Sequence, residues 1–320
     1  MDVNLTSQNQ AQNQKSDDIK LSHLIEIIWS YKLFIISFTF ICSLATVIYA
    51  ISKPNEYEAK GIYMPKGEDS AGSLSKLAGQ FGGIASLAGV NLGGGGENKT
   101  EVAIELLTSR SFLQAFIERH KLIAPLIAAE SWDEQANQLI YDSELYDAEN
   151  DIWVREAPPG KQVEPTAWEA YEFLKKNIAI EYESKKGIVS ISLTYYSPYL
   201  AAEWLELLVK DINYFWQQRT IDESERYIEV LSSKAQSTQL SELKEIFFGL
   251  IAEKTKASLL AQVTKETMFE TVAKVVVPEE KSAPSRALLC IVGFIFSGFF
   301  ACVVSLFLGI NEKREELYGN

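Results

Sequence analysis

Two stretches of the chain contain no charged residue at all. One runs from Leu33 to Ser52 as LFIISFTFICSLATVIYAIS, and the other runs from Ala287 to Ile310 as ALLCIVGFIFSGFFACVVSLFLGI. About 20 apolar residues in a helix cross the hydrocarbon core of a bilayer. A buried helix of a soluble protein would normally keep a polar stripe, which neither stretch has. The pattern therefore predicts transmembrane helices at 33–52 and 286–310.

The first span is not expected to be a cleaved signal peptide. Mostly polar residues fill positions 1–32 ahead of it, and no cleavage site with small residues stands out. Two spans put both tails, 1–32 and 311–320, on the same side of the membrane. Basic residues near the spans weakly favour the cytoplasm for the tails, which leaves 53–285 on the other side of the membrane.

The intervening segment carries most of the charge. Residues 53–285 account for −12 of the chain's net charge of −13, which argues against nucleic acid or an anionic lipid surface as its partner. The three cysteines, Cys42, Cys290 and Cys302, all lie in the apolar stretches. The segment between them can therefore form neither a disulfide nor a thiolate zinc site.

Strand and helix patterns alternate through 53–285. YEAKGIYM (57–64) predicts a strand, and 101–122 predicts a helix broken near Thr108 and Ser109. SWDE (131–134) and TAWE (166–169) have capping-box spacing, so each is expected to open a helix, the second ending near Asn177.

The rest of this segment predicts a hairpin followed by long helices. Residues 178–182 and 188–195 alternate around the turn SKKG, and Ser197-Pro198 then starts a helix that continues through 236. A second helical stretch is expected over about 240–271, and VAKVVVP (272–278) as a final strand. The predicted fold is an α+β domain with a long projecting helix, held by two transmembrane helices.

Candidate chemistry is sparse. The glycine-rich segment 72–96 lacks the Gly-Lys-Ser/Thr of a phosphate-binding loop, so a mobile loop is the better interpretation. His120 is the only histidine between the spans, and no nucleophile motif supports a catalytic role for it. The acidic run 141–151 lacks the spacing of a calcium loop. We therefore expect no enzymatic activity, no cofactor and no metal.

The second span has a pattern of its own. Small residues recur every four positions along it, at Gly293, Ser297, Ala301, Ser305 and Gly309. Such an edge lets two helix backbones approach closely. It therefore predicts specific helix packing in the membrane.

The order of these segments resembles the Wzz-type chain-length determinants, the polysaccharide co-polymerases without a kinase domain. The resemblance rests on LIEIIWSYKLFI (24–35), YEAKGIYM, LLTSRSFLQAFI (106–117), VSISLTYYSPYLAAEWLELLVKDIN (189–213) and VVVPEEKSAPSR (275–286). In TYYSP, Ser197 stands before the proline where relatives usually have an aspartate, which puts little in doubt beyond the cap chemistry.

This resemblance implies a bacterial inner membrane protein with residues 53–285 in the periplasm. It also implies a homo-oligomeric ring that sets the modal length of O-antigen or a similar glycan. It implies a Wzy-type polymerase, the growing glycan and the lipid bilayer as partners. Pro278 and Pro284 would then make a stiff membrane-proximal bridge between the final strand and the second span. Two alternatives remain: a membrane adaptor for polysaccharide export, and a membrane-anchored glycan hydrolase.

Overall fold

The computed structural model describes residues 28–66 and 98–318. The glycine-rich segment 72–96 lies outside the described residues. The chain divides into two compact units, a terminal unit of residues 1–53 and 284–320 and a central unit of residues 54–283.

Two long helices form the terminal unit. Helix α1 spans Lys32–Ser52 and helix α8 spans Arg286–Tyr318. By length and apolar composition, α1 and the Arg286–Gly309 part of α8 can each cross a membrane. They run antiparallel, because Phe38 lies beside Phe300, with ring centroids 6.1 Å apart, while the later Thr46 lies against the earlier Gly293.

A four-stranded antiparallel sheet forms the base of the central unit. Its order is β6-β7-β1-β8, from strands β1 (Tyr57–Pro65), β6 (Ile178–Glu183), β7 (Ile188–Tyr195) and β8 (Phe269–Ala273). The alternating residues of β1 and β7 put Ala59, Tyr63 and Ile191 into the core, as their period of two predicts. The predicted hairpin is confirmed by the pairing of Ile178 with Leu193 through Glu183 with Ile188.

Four helices precede or flank this sheet: α2 (Asn98–Thr108), α3 (Arg110–Arg119), α4 (Ile123–Ala128) and α5 (Ala167–Asn177). The predicted break before α3 is confirmed, with the Ser109 side chain accepting from the Phe112 amide. The capping box of α5 is also confirmed, since the Thr166 and Glu169 side chains each bond to the other residue's backbone.

The longest element is α6 (Pro198–Ser237), which begins at the predicted Ser197 cap. Its 40 residues extend about 60 Å at 1.5 Å each. Its residues contribute to the main core only as far as Trp216. Beyond that point it pairs with α7 (Ser241–Val263), so the predicted α+β domain with a long helical extension is confirmed.

The helix expected at SWDE is wrong. Ser131 and Trp132 instead lie in β2 (Ala129–Asp133), which pairs with β3 (Gln138–Tyr141). The Asp133 carboxylate accepts hydrogen bonds from the Gln135 and Ala136 amides, and this bonding forms a tight turn. An acidic side chain that caps a turn uses the same local chemistry as a helix cap, so the motif alone did not separate them. A second short hairpin, β4 (Tyr146–Asp147) with β5 (Ile152–Trp153), was not predicted either.

The final strand is also misplaced by the sequence pattern. It covers Phe269–Ala273 instead of 272–278, and the second helical stretch ends at Val263 instead of near 271. The buried Asn213 explains the shift: its side-chain oxygen accepts from the Met268 and Phe269 amides at 2.8 Å, and its nitrogen donates to the Phe269 carbonyl. These bonds come from α6, which is far away in sequence.

Candidate functional site

The five small residues predicted to form a packing edge occupy one side of α8. Ala301 and Ser305 are fully buried, Ser297 is 8% exposed, and Gly293 and Gly309 lie on the same line. Phenylalanines on the opposite side are exposed; Phe299, for example, is 69% exposed. Within the terminal unit the small-residue edge therefore faces α1. We call this contact the interhelical seam.

Close approach at the seam requires the glycine at position 293. A β-carbon added there would lie 2.6 Å from Thr46 Cγ2 and 2.7 Å from Thr46 Oγ1. Distances this short force a displacement, and the branched Thr46 side chain is too short to swing away. Farther along, a β-carbon at Gly298 would make an ordinary 3.9 Å contact with Thr39. Position 293 therefore has no room for a side chain.

Hydroxyl groups line both sides of the seam. Ser297 and Ser305 donate to carbonyls of their own helix, those of Phe294 and Cys302, and Thr46 donates to the Cys42 carbonyl. The buried Oγ1 of Thr39 and Oγ of Ser43 have no hydrogen-bond partner among the described residues. Most of the polar groups here are therefore satisfied within one helix, which leaves backbone approach and van der Waals packing to join the two.

Arg286 closes one end of the helix pair. Its Nε donates to the Ala50 carbonyl at 3.1 Å and its terminal NH2 to the Lys53 carbonyl at 3.3 Å. The last carbonyls of a helix lack intrahelical partners, and a cation is favoured at that negative end. The first residue of α8 thus caps the last turn of α1.

The two bridge prolines lie on either side of a backbone contact in the central unit. Pro278 follows β8 in an irregular segment, and Pro284 comes directly after Ala283. The Glu56 amide donates to the Ala283 carbonyl at 2.8 Å, and the Glu56 carbonyl accepts from the Ser282 amide at 2.9 Å. The segment that leaves the central unit is therefore tied to the start of β1. The coupling role predicted for the prolines stays a prediction.

A polar cluster joins α3 to α6. Oδ2 of Asp211 accepts from Arg119 NH1 at 2.9 Å and lies 3.1 Å from Nε2 of His120. The His120 ring packs on Phe116, with centroids 4.8 Å apart. Among the described residues, no group of three or more His, Cys, Asp or Glu side chains could hold a metal. The histidine considered for catalysis thus takes part in an ion-pair cluster.

Shifted pKa values elsewhere have structural causes. Hydrogen bonds from Arg155 lower the pKa of Glu169 to about 2. Burial raises the pKa of Tyr63 to about 12, and burial also raises the pKa of Tyr195, whose hydroxyl donates to the Pro125 carbonyl at 2.6 Å. These groups fix elements of the fold to one another.

The α1 side of the seam was missed by sequence reasoning. Thr39, Ser43, Thr46 and Ala50 recur at spacings of four, three and four, and Thr39 and Ala50 are buried. This spacing places small and hydroxyl residues on one helix face, so the same test that found the α8 edge could have found it. The sequence shows Arg286 only as a charged residue at the start of a span. Its role as a cap of α1 could not be predicted, because capping of a distant helix leaves no pattern in the neighbouring residues.

Residues 17–120 match the family model of the Wzz chain length determinant protein. This part of the chain resembles the Wzz chain length determinant family. The resemblance stated from the sequence is thereby confirmed. We call residues 17–120 the Wzz region. It includes α1, β1, α2 and α3, and it ends at His120, so α6, α7 and α8 lie outside it.

No curated protein sequence matches the chain. Among solved structures, a full-length bacterial polysaccharide co-polymerase aligns at 12% identity and a TM-score of 0.36, with 92% of this chain and 99% of that chain covered. A fragment of WzzB, a polysaccharide co-polymerase from Salmonella Typhimurium, aligns at 15% identity and a TM-score of 0.26, with 72% and 100% covered.

Proposed function

We propose that this chain regulates the length of a bacterial surface polysaccharide without catalysing its synthesis. The observation that carries the proposal is the Wzz region, which starts ahead of the first apolar helix and continues into the central unit. In this role the chain is a two-span protein of the inner membrane. Its central unit lies in the periplasm and both tails lie in the cytoplasm. A Wzy-type polymerase makes the glycan, O-antigen or a similar polymer, while this chain limits its growth.

The chain acts as a homo-oligomer in this proposal. Two exposed apolar stripes on the central unit support it, one around Tyr227 and Val230 on α6 and one around Leu259, Leu260 and Val263 on α7. Contiguous exposed apolar surface marks interaction sites, and Val263 in the α7 stripe is 79% exposed. Because the stripes lie on different helices, head-to-tail contact between copies buries both and generates a ring when the rotation closes.

The seam and the bridge supply the link to the membrane. Backbone hydrogen bonds tie Glu56 to Ala283 in the central unit, and Arg286 caps the helix pair. Little free chain is therefore left between Ala283 and Arg286. Prolines at 278 and 284 restrict the backbone on the exit side. Movement of the periplasmic unit is thereby passed to the spans, where the polymerase lies.

The test compares the glycan ladder on a gel from cells with the chain, without it, and with it restored. The proposal expects a defined modal length that becomes random on deletion and returns on restoration, with surface delivery unchanged. Loss of surface glycan with its length distribution intact would instead favour the export adaptor. A ladder that is the same in all three strains refutes the proposal.

The assembly is tested separately with Val263→Glu, measured as particle mass of the full chain in lipid nanodiscs. A charge in the α7 stripe should lower the mass toward that of one copy. Val154→Glu is the matched control, because Val154 is also exposed (51%) but lies on neither stripe. An unchanged mass for Val263→Glu would remove the α7 stripe from the interface.

A further inference from the structure

A cleft opens between α2, α3 and α6 in the central unit. Its volume is about 280 Å³, at the lower limit of pockets that take small ligands, roughly 300–1,000 Å³. Both apolar rings and polar side chains line it. They include Phe112, Phe116, Phe215, Arg119, Asp211 and Gln218. A cleft of this size suits one sugar-sized group.

The carboxylate of Asp211 is the most informative group in the lining. Asp211 is only 8% exposed, and its Oδ2 already serves both Arg119 and His120. Its Oδ1 accepts no hydrogen bond from any described residue. Oδ1 is not among the buried side-chain atoms that lack a partner, so solvent reaches it and it is free to accept a hydrogen bond from a hydroxyl or amine of a ligand.

The surrounding polar groups offer both donors and acceptors. Arg119 uses only NH1 toward Asp211 and keeps half of its side chain exposed. The Gln218 amide and the Tyr214 hydroxyl, neither of which bonds to another described residue, also line the cleft. Because Arg119 and Asp211 compensate each other, the lining carries little net charge. Such a set fits a neutral ligand whose neighbouring hydroxyls both donate and accept.

Aromatic rings supply the apolar part of the lining. Phe112 and Phe215 meet edge to face with centroids 6.5 Å apart, and Phe215 remains 39% exposed. An exposed ring beside hydrogen-bonding groups is suited to the C–H face of a pyranose, which is apolar while its rim is polar. No described cation beyond Arg119 lines the cleft, so a phosphate or another anion is not favoured.

We propose that this cleft is a saccharide subsite that holds one sugar residue of the glycan. The proposal rests on the proposed function, because it takes the regulated polysaccharide as the source of the sugar. Asp211 Oδ1 accepts from a sugar hydroxyl, Gln218 and Tyr214 bond to its rim, and Phe215 packs against its apolar face. The site lies partly outside the Wzz region, since α6 supplies four of its ten lining residues.

The probe is the surface polysaccharide isolated from the same bacterium, cut to short oligosaccharides and titrated into the purified full-length protein in detergent. Tyr214→Ala and Gln218→Ala each remove one contact from a side chain that does not support the core. We expect each to bind about fivefold more weakly, the effect of one lost hydrogen bond. Asp211→Asn, which keeps the shape but not the charge, should weaken binding at least as much.

Tyr182→Ala is the matched control, because Tyr182 is an exposed tyrosine (39%) of β6 with no place in the cleft. It should bind as the wild-type protein does, and all four variants should unfold within a few degrees of it. If Tyr214→Ala and Gln218→Ala keep wild-type affinity while the protein binds the oligosaccharides, the sugar lies elsewhere and the inference is wrong. If the wild-type protein binds none of them, or if the variants change only the particle mass, the cleft is not a saccharide subsite.

The ladder assay separates this inference from the proposed function. If deletion randomises the ladder while the cleft variants leave both the ladder and the affinity unchanged, only the inference about the cleft is overturned. A deletion that leaves the ladder unchanged overturns the function, and the titration then still decides whether the cleft binds sugar.

Discussion

The ion pair between Arg155 and Glu169 should make a measurable contribution to the stability of the central unit. Its two hydrogen bonds run from Arg155 NH1 to Glu169 Oε2 at 3.0 Å and from NH2 to Oε1 at 3.1 Å. The side chains are only 9% and 12% exposed. Arg155 also donates to the carbonyls of Gln162 and Val163, so the pair pins the loop before α5 to the first turn of that helix.

The perturbation is Glu169→Gln, which keeps the size of the side chain and removes its charge. The pKa of Glu169 is about 2 in the folded chain against an ordinary 4.5. A tenfold change in a protonation constant corresponds to about 1.4 kcal/mol, so this difference sets an upper value of about 3 kcal/mol. Arg155 keeps its two backbone acceptors in the variant, and the half-exposed Lys161 adds little to the pairing. We therefore expect the free energy of unfolding to decrease by about 2–3 kcal/mol.

The assay is thermal unfolding of the full chain in detergent, followed by tryptophan fluorescence. Five of the six tryptophans lie in the central unit, so the signal reports on that unit. For a unit of this size each kcal/mol moves Tm by about 2–4 °C, which gives a decrease of roughly 5–10 °C. Glu172→Gln, an exposed carboxylate on the same helix, is the control and should leave Tm nearly unchanged.

The effect must also depend on pH in one direction. Because the folded pKa of Glu169 is depressed, its stabilisation is complete above the unfolded value and is lost as pH falls from about 4.5 through about 2. At pH 3 the Tm gap between wild type and Glu169→Gln should be less than half the gap at pH 7. Equal Tm values for Glu169→Gln and Glu172→Gln at pH 7, or a gap that widens on acidification, would refute the reasoning.

Three further predictions concern the seam, the core and the topology. Ala301→Leu puts bulk into the fully buried centre of the seam, so the span should insert at normal abundance while the glycan ladder shifts or broadens. Phe299→Leu on the exposed side is the control and should give the wild-type ladder. A wild-type ladder from Ala301→Leu as well would exclude a packing role. Asn213→Ala removes the buried partner of the Met268 and Phe269 amides and of the Phe269 carbonyl, so Tm should fall by roughly 5–10 °C. Asn150→Ala, in an exposed turn, is the control and should change Tm little. A reporter that is active only in the cytoplasm should stay silent when fused at residue 150, and activity there would contradict a periplasmic central unit.

Sequence alone determined the features that depend on local patterns. Two uncharged stretches predict the apolar helices α1 and α8. A membrane-spanning helix is surrounded by lipid and makes all its backbone hydrogen bonds within itself, so its formation depends on no distant residue. The hairpin β6–β7, the caps at Thr166 and Ser197, and the length of α6 also follow from neighbouring residues. The α8 edge of the seam was visible for the same reason.

Tertiary structure decided the features that depend on distant residues. Strand β8 begins at Phe269 because Asn213, 56 positions earlier, binds its backbone, and no periodicity in 264–278 encodes that contact. SWDE pairs with β3 although its spacing fits a capping box equally well, since local hydrogen bonding serves both structures. The cleft joins Arg119 to Asp211 across 92 positions, and the carboxylate of Asp211 lines it only once α3 packs on α6. A buried polar site is defined by what surrounds it, and only the folded chain brings those surroundings together.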